Sequence, residues 1–457
     1  VITETELSEI ELTIFGSEGA SKESLPILWN SSDKKPCINV LIGPNGTYKS
    51  EILKAIAYHF AEKRPRKPAV LINSDSNNSL TASRVIAATN AVFDKFPRAD
   101  TSFMHLKTSV LKSRSESNYY HFGAVANRRY FSARAMLFDS LASAMSALVA
   151  GRSGEPLLAL FDFLNLDSFV ELVFSLNDEE IAGTDIKGLE GKDELDAVLR
   201  IIRAPSFQKN LKRYAIPNHF VTKRDKRVIA IQLNFRRKQK IERELSEFLL
   251  GIEVLRRARK ATLEDARLKF QNGRPFSLDA ASSGQSSLML LCLSIASVLE
   301  DNSLVLIDEP EIGLHPDWQH RFTSLLDKIL SSTKGSRAII ATHSPSLVGN
   351  LPEGRSNVVG LRAINGRTVI RRVPVDAFGW SVDRILFDIF DVETVRNEVV
   401  SGHLKELMRI IADPEINTEK LGLSLKYLKQ LKMPTADPLL RVIEEAENIL
   451  RNSSGTD

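Results

Sequence analysis

Cysteine is scarce in this chain, with only Cys37 and Cys292 among 457 residues. Two thiols cannot form a disulfide framework or a cysteine-rich metal site, and both lie in apolar runs, so buried free thiols are expected. No Cys/His cluster has the spacing of a zinc site, which excludes a metal-dependent nuclease centre of that kind in this chain. Long apolar runs are also missing. The longest, Ser287–Leu299, is too short to span a bilayer and reads as a buried helix. No signal-peptide pattern opens the chain, so the expected compartment is the cytoplasm and no membrane is expected among its partners. There is no heptad array of the length a coiled-coil arm needs, no internal repeat and no long low-complexity linker.

What is present describes a folded protein. Hydrophobic residues make up 43% and charged residues 26%, a globular balance. The length exceeds what one compact core usually holds, so two or three domains are expected. The net charge of +4 conceals an asymmetry. Arg203–Arg274 carries 20 Lys/Arg against 7 Asp/Glu, about +13, which leaves the remainder near −9. A basic segment in an otherwise acidic chain suggests a polyanion partner, and a solvated helical face is the alternative. Within it, Lys223, Arg224, Lys226, Arg227, Arg236, Arg237 and Lys238 of the stretch 209–260 are candidates for contacting nucleic-acid phosphates. Aromatics are sparse there, which disfavours base stacking.

Periodicity sketches the organisation. An alternating run near Ile10–Phe15 predicts a strand, Cys37–Ile42 a short buried strand, and Ser50–Phe60 a helix. Strand-like runs recur at Ala69–Asn73 and Arg84–Ala88. From about 100 to 270 the spacing predicts mainly helix, including Ala133–Val149, Leu157–Leu176 and much of Arg237–Lys269. That last stretch would reach about 50 Å as one helix, although Gly251 interrupts it. Residues 278–345 return to an α/β pattern. Val358–Leu361 and Thr368–Val373 flank Asn365-Gly366, a hairpin signal. The rest is predicted helical. The expected divisions are 1–98 and 276–376 as two halves of one α/β core, 99–275 as a mainly helical basic insertion, and 377–457 as a helical C-terminal region.

Four segments carry chemistry. Gly43-Pro44-Asn45-Gly46-Thr47-Tyr48-Lys49-Ser50 follows a strand and opens a helix, the context a phosphate-binding loop needs. Its backbone N–H groups would cradle phosphate oxygens. Lys49 would offset β/γ-phosphate charge and Ser50 would be a Mg²⁺ ligand. Tyr48 stands where a glycine usually precedes the lysine, and its Cβ would crowd the phosphates or reshape the loop. Secondly, Ser303–Ile307 is an apolar strand ending in Asp308-Glu309. Asp308 would hold Mg²⁺, and Glu309 would orient or deprotonate the attacking water. Thirdly, Ser282-Ser283-Gly284-Gln285 opens the apolar helix, a small-residue helix start that either binds an anion or simply caps. Lastly, Ala338–Thr342 is a strand ending at His343, which resembles a switch histidine that contacts a γ-phosphate; a structural histidine is the alternative. Asn90 follows another strand and is a weaker candidate for the Mg²⁺ or water contact.

In this order the segments resemble the ABC-type ATPases. Ser282–Gln285 is similar to their signature, and "DEPEIGLHP" (308–316) with "ATHSP" (341–345) resembles the overcoming-lysogenization-defect and recombination-type branch. The resemblance implies an α/β P-loop NTPase fold of ABC-ATPase type with a large helical insertion and a helical C-terminal region. It implies ATP and Mg²⁺ as cofactors and catalytic roles for Lys49, Glu309 and His343. It also implies a homodimer in which each phosphate loop faces the partner's signature, with His315 near the seam unless it only shapes a turn. "RVIAATNAVFDKFP" (84–97), "YYHFGA" (119–124) and "ILFDIFDVETVRNEVV" (385–400) resemble the ATPase subunits of Septu-type antiphage systems, including relatives encoded beside retrons. That likeness implies a separate effector nuclease, typically of HNH type, and a higher assembly of dimers. The rival expectations are a DNA-repair ATPase acting on DNA, an ATP-gated scaffold with little turnover and, more remotely, a transporter subunit.

Overall fold

The computed structural model describes residues 7–16, 19–29, 34–61, 68–73, 81–91, 95–97, 118–123, 153–177, 202–216, 226–234, 243–257, 260–364, 366–373, 398–412, 418–431 and 439–453, with a few isolated positions besides. The chain divides into two compact units, Val1–Trp380 and Ser381–Asp457.

The first unit begins with an antiparallel hairpin, β1 (Leu7–Gly16) and β2 (Gly19–Leu28). β3 (Cys37–Ile42) leads into helix α1 (Lys49–Phe60), and β4 (Val70–Ile72) joins the hairpin through β1. β5 (Arg84–Thr89) and β6 (Tyr119–Phe122) follow. Next come α2 (Glu155–Phe163), β7 (Phe169–Asn177), α3 (Pro205–Arg213), β8 (Lys226–Asn234), α4 (Arg243–Arg257), β9 (Ala261–Lys269) and β10 (Pro275–Ser277). The closing run is α5 (Ser283–Val298), β11 (Ser303–Asp308), α6 (Pro316–Leu330), β12 (Arg337–Thr342), β13 (Ser356–Ile364) and β14 (Arg367–Arg372).

A seven-stranded sheet in the order β14-β13-β3-β12-β11-β5-β6 organises this unit. All its pairings are parallel except the β13–β14 hairpin. Every residue of β3, β5, β11 and β12 is buried. Strands covered on both faces are near-continuous apolar runs rather than alternating ones, which is why these four read clearly from sequence. α1 packs Ile52, Leu53 and Ile56 between the sheet residues Leu304, Leu306, Ile339 and Ala341 and the hairpin residues Ile10, Leu12, Leu25 and Ile27. Each such fully buried Leu or Ile contributes about 1.5–3 kcal/mol. The buried Asn39 side chain joins sheet to hairpin: its Oδ1 accepts from the Leu28 N–H at 2.7 Å and its Nδ2 donates to the Leu28 carbonyl at 3.0 Å.

The segment expected to be mainly helical differs. Its described residues include a four-stranded antiparallel sheet in the order β10-β9-β7-β8, besides α2, α3 and α4. Leu157–Leu176 is not one helix. It stops near Asn165, which takes a left-handed φ of 56°, and continues as β7. Arg237–Lys269 likewise holds α4 and then β9. The spacing misled for a physical reason. In β9 the buried residues are Ala261, Leu263, Ala266 and Leu268. The step of three between Leu263 and Ala266 mimics a helix, but it comes from a bulge, because Phe174 pairs with Leu263 while Val173 pairs with Asp265. Of Ala133–Val149 only a few positions are described, all helical.

The Asn365-Gly366 hairpin forms, with Ile364 paired to Arg367 and Gly366 at φ 73°; Asn365 itself lies outside the described residues. Cys37 and Cys292 are both buried, and neither is in a disulfide. In the second unit, α7 (Glu398–Ala412), α8 (Thr418–Lys429) and α9 (Leu439–Ser453) share a core of Leu407, Leu421, Leu428, Ile443 and Ala446. No described helix is long and apolar enough to cross a membrane.

Candidate nucleotide site

Parallel strands in register bring their C-terminal ends to one edge. Asp308 at the end of β11 is opposite Ala341 on β12 and Thr89 on β5, and Thr342 at the end of β12 is opposite Ile42 on β3. Four loops therefore leave the sheet side by side: 43–50 after β3, 309–315 after β11, 343–344 after β12 and 90–91 after β5. Crevices outside the carboxyl ends of such strands are where α/β sheets bind ligands. Because β12 runs between β3 and β11, His343 emerges between the loop of Lys49 and the two acids.

The phosphate-loop segment wraps its own lysine. The Lys49 ammonium is buried and donates to the carbonyl oxygens of Gly43 at 2.8 Å and Pro44 at 2.7 Å. Burial lowers its pKa, opposed by the negative charges of Glu309, Glu311 and Asp308. Thr47 Oγ1 donates to the Pro44 carbonyl at 2.8 Å. Asn45 and Gly46 form the exposed tip. At Gly43 the backbone passes so close to the Leu361 carbonyl that no Cβ would fit. Tyr48 keeps the loop's course in spite of its side chain. It takes the left-handed φ of 65° that a glycine adopts freely, and its hydroxyl reaches the Phe15 carbonyl of β1 at 3.3 Å. The ring is thus directed to the hairpin. An L-residue pays about 1–2 kcal/mol for that backbone region.

Ser50 Oγ donates to Asp308 Oδ1 at 2.8 Å. Burial pushes the Asp308 carboxyl up to about 7, with the neighbouring Glu309 charge adding to the rise and the Ser50 hydrogen bond opposing it. A hydroxyl and a carboxylate side by side are hard oxygen donors of the kind Mg²⁺ takes, completing its shell with phosphate and water oxygens. No group of three or more His, Cys, Asp or Glu side chains with metal-binding geometry occurs among the described residues. Glu309 has a left-handed φ of 51°, a backbone strain of about 1–3 kcal/mol that clusters at functional sites. Asn90 Nδ2 donates to the Pro310 carbonyl at 3.3 Å, which ties the end of β5 to the acidic turn.

Two charged residues without an assigned role in the sequence reading also belong here. Lys95 pairs with Glu51, one residue beyond Ser50, at 3.4 Å, and its charge acts on both Asp308 and Lys49. Glu311 is buried, and its Oε1 accepts from the Thr342 hydroxyl at 2.7 Å and the His343 N–H at 2.8 Å. The only sequence signal for Glu311 was its place in the run after Asp308-Glu309.

The signature-like turn stands apart in its hydrogen bonding. Ser282 and Gln285 form a reciprocal capping box at the start of α5, with Ser282 Oγ accepting from the Gln285 N–H at 3.2 Å and Gln285 Oε1 from the Ser282 N–H at 2.8 Å. Ser282 and Ser283 are exposed. Gly284 lies against the loop after the acids, where an added Cβ would sit 2.7 Å from the Gly313 carbonyl oxygen. His315 caps α6, its Nδ1 accepting from the Asp317 N–H at 3.3 Å, and it is exposed. Of the basic stretch, Lys223, Arg224, Arg236, Arg237 and Lys238 lie outside the described residues.

The strand that leads into the 43–50 loop is separated from the acidic strand by the strand that ends at His343, the layout of a P-loop NTPase fold of ABC-ATPase type. Residues 157–349 match the family model described as "AAA domain, putative AbiEii toxin, Type IV TA system", a span that holds Ser282–Gln285, Asp308, Glu309 and His343 but begins after the 43–50 loop. The chain is similar to Septu protein PtuA of Bacillus thuringiensis, 26% identical over 150 residues, 32% of this chain and 36% of that protein. It is also similar to protein ea59 of Escherichia phage lambda, 30% identical over 140 residues, 31% of this chain and 25% of that protein. The matched stretch is thus about a quarter to a third of these relatives' lengths. Among solved structures, a Smc head domain bound to the C-terminal domain of ScpA, from Pyrococcus furiosus, aligns over 81% of this chain and 96% of its own at 14% identity, with a TM-score of 0.32. The fold class rests on the strand order itself.

Proposed function

We propose that this chain binds and hydrolyses ATP with Mg²⁺ at the interface of a homodimer, and that its nucleotide state controls a separate effector nuclease in antiphage defence. The observation that carries the nucleotide part is the convergence of Lys49, Ser50, Asp308, Glu309 and His343 at one sheet edge. In this reading the 43–50 amides and Lys49 take the phosphates. Ser50 and Asp308 would hold Mg²⁺, which would offset phosphate charge when bound. Glu309 orients and deprotonates the attacking water, and His343 addresses the γ-phosphate.

The dimer is supported by a separation within the chain. Ser282–Gln285 presents an exposed helix N-terminus whose hydrogen bonds are spent on its own cap rather than on the chain's own phosphate loop. A partner's nucleotide would complete it. Effector control is supported by the likeness to Septu protein PtuA and by the lack of a Cys/His metal cluster in the sequence. The effector is expected to be of HNH type, held by the helical C-terminal region or the 99–275 insertion. The test is to purify the chain with the product of the gene beside its own and to assay DNA or RNA cleavage with ATP, ADP and no nucleotide. Cleavage is expected to differ between nucleotide states. Equal cleavage in all three would remove the regulatory claim. Strong DNA stimulation of ATP turnover without any nuclease would favour the repair-ATPase reading instead.

A further inference from the structure

Glu311 is a buried acid of the site, with a side chain only 4% exposed. One of its oxygens takes on everything. Oε1 accepts from Thr342 Oγ1 and the His343 N–H, and His343 Nδ1 lies 3.2 Å from the same atom. Glu309 Oε1 is farther from that nitrogen, at 4.0 Å. Glu311 Oε2 is buried and has no hydrogen-bond partner. A carboxylate that served only to close the turn would be satisfied by Thr342 and the backbone. This one also faces the imidazole.

We propose that Glu311 is the positioning residue of the switch histidine: it holds the proton of His343 on Nδ1 and fixes the ring, so that Nε2 is the nitrogen presented to the nucleotide. The ring nitrogen that carries the proton is set by the hydrogen bond it makes, and a carboxylate acceptor is the strongest common choice. The closer approach of Glu311 also leaves Glu309, 4.0 Å from the ring nitrogen, the more available of the two to water. The kinetic consequence rests on the ATPase reading above. The tautomer does not.

The experiment is therefore done in two arms on the full chain. In the first, side-chain ¹⁵N spectra are recorded on histidine-labelled protein, with the His343 signal identified by its loss in His343→Gln. Wild type is expected to show His343 protonated on Nδ1. Glu311→Gln keeps an acceptor oxygen and is expected to retain that form, whereas Glu311→Ala is expected to shift the signal toward the Nε2-protonated tautomer. In the second arm, Glu311→Ala is expected to lower ATP turnover about tenfold, with Glu311→Gln restoring most of it. Adding Glu311→Ala to His343→Ala is expected to cost nothing further, because the two act as one unit. A wild-type His343 protonated on Nε2, or additive losses in the double variant, would overturn the proposal. If wild type does not hydrolyse ATP at all, the ATPase reading fails and the tautomer in the first arm still decides this one.

Discussion

The hydroxyl of Ser50 and the carboxylate of Asp308 meet at 2.8 Å across 258 residues of chain. This single hydrogen bond links the start of the helix after the phosphate loop to the end of the acidic strand. It also carries a pH dependence. Burial holds the Asp308 carboxyl up at about 7, well above its unfolded value near 4.

For the nucleotide-free chain the sign follows directly. The folded state binds the Asp308 proton more tightly than the unfolded state does, so the contribution is fully present below about pH 4 and is lost as pH rises through about 7. Mg²⁺ binding has the opposite preference, since the metal needs the ionised carboxylate. Calorimetric titration of Mg²⁺·ATP should therefore show affinity falling as pH drops below 7 in wild type. Asp308→Asn should bind Mg²⁺·ATP weakly at every pH and lose that slope. An unchanged slope in the variant would mean that another group titrates.

Tyr48 gives a second prediction. Tyr48→Gly relieves about 1–2 kcal/mol of left-handed backbone strain and removes one hydrogen bond of about 1 kcal/mol with some packing against the core. Stability should change by no more than about 1 kcal/mol by denaturant unfolding. Turnover should rise several-fold, because the loop is no longer tethered to the Phe15 carbonyl. Tyr48→Phe, which also loses the hydroxyl tether but keeps the ring and the backbone strain, should show part of the same rise. An unchanged rate in Tyr48→Gly would make the tyrosine a neutral variation.

Much of this site is visible in the sequence because it sits on strands buried on both faces. Cys37–Ile42, Ser303–Asp308 and Arg337–Thr342 are short, largely apolar runs that lead into the 43–50 loop, Glu309 and His343, and a parallel sheet places such ends together. The departure at Tyr48 was equally plain, but not the hydrogen bond that leads its ring toward β1. Glu311 could not be given a role from its position. Its partners, Thr342 and His343, are neighbours only because β11 and β12 are paired, 31 and 32 residues apart in sequence. The β7–β9 pairing stayed hidden for a different reason: its bulge breaks the two-residue alternation that marks a strand.

The central claim is tested most directly by ATP turnover of wild type and Glu309→Gln, with solution mass recorded with and without Mg²⁺·ATP. The account predicts that wild type hydrolyses ATP, and that the variant is slower by about 10² or more and accumulates as a larger, ATP-bound species. If neither protein turns over and neither changes mass with nucleotide, the chain is not an ATPase that closes on ATP, and the account is contradicted.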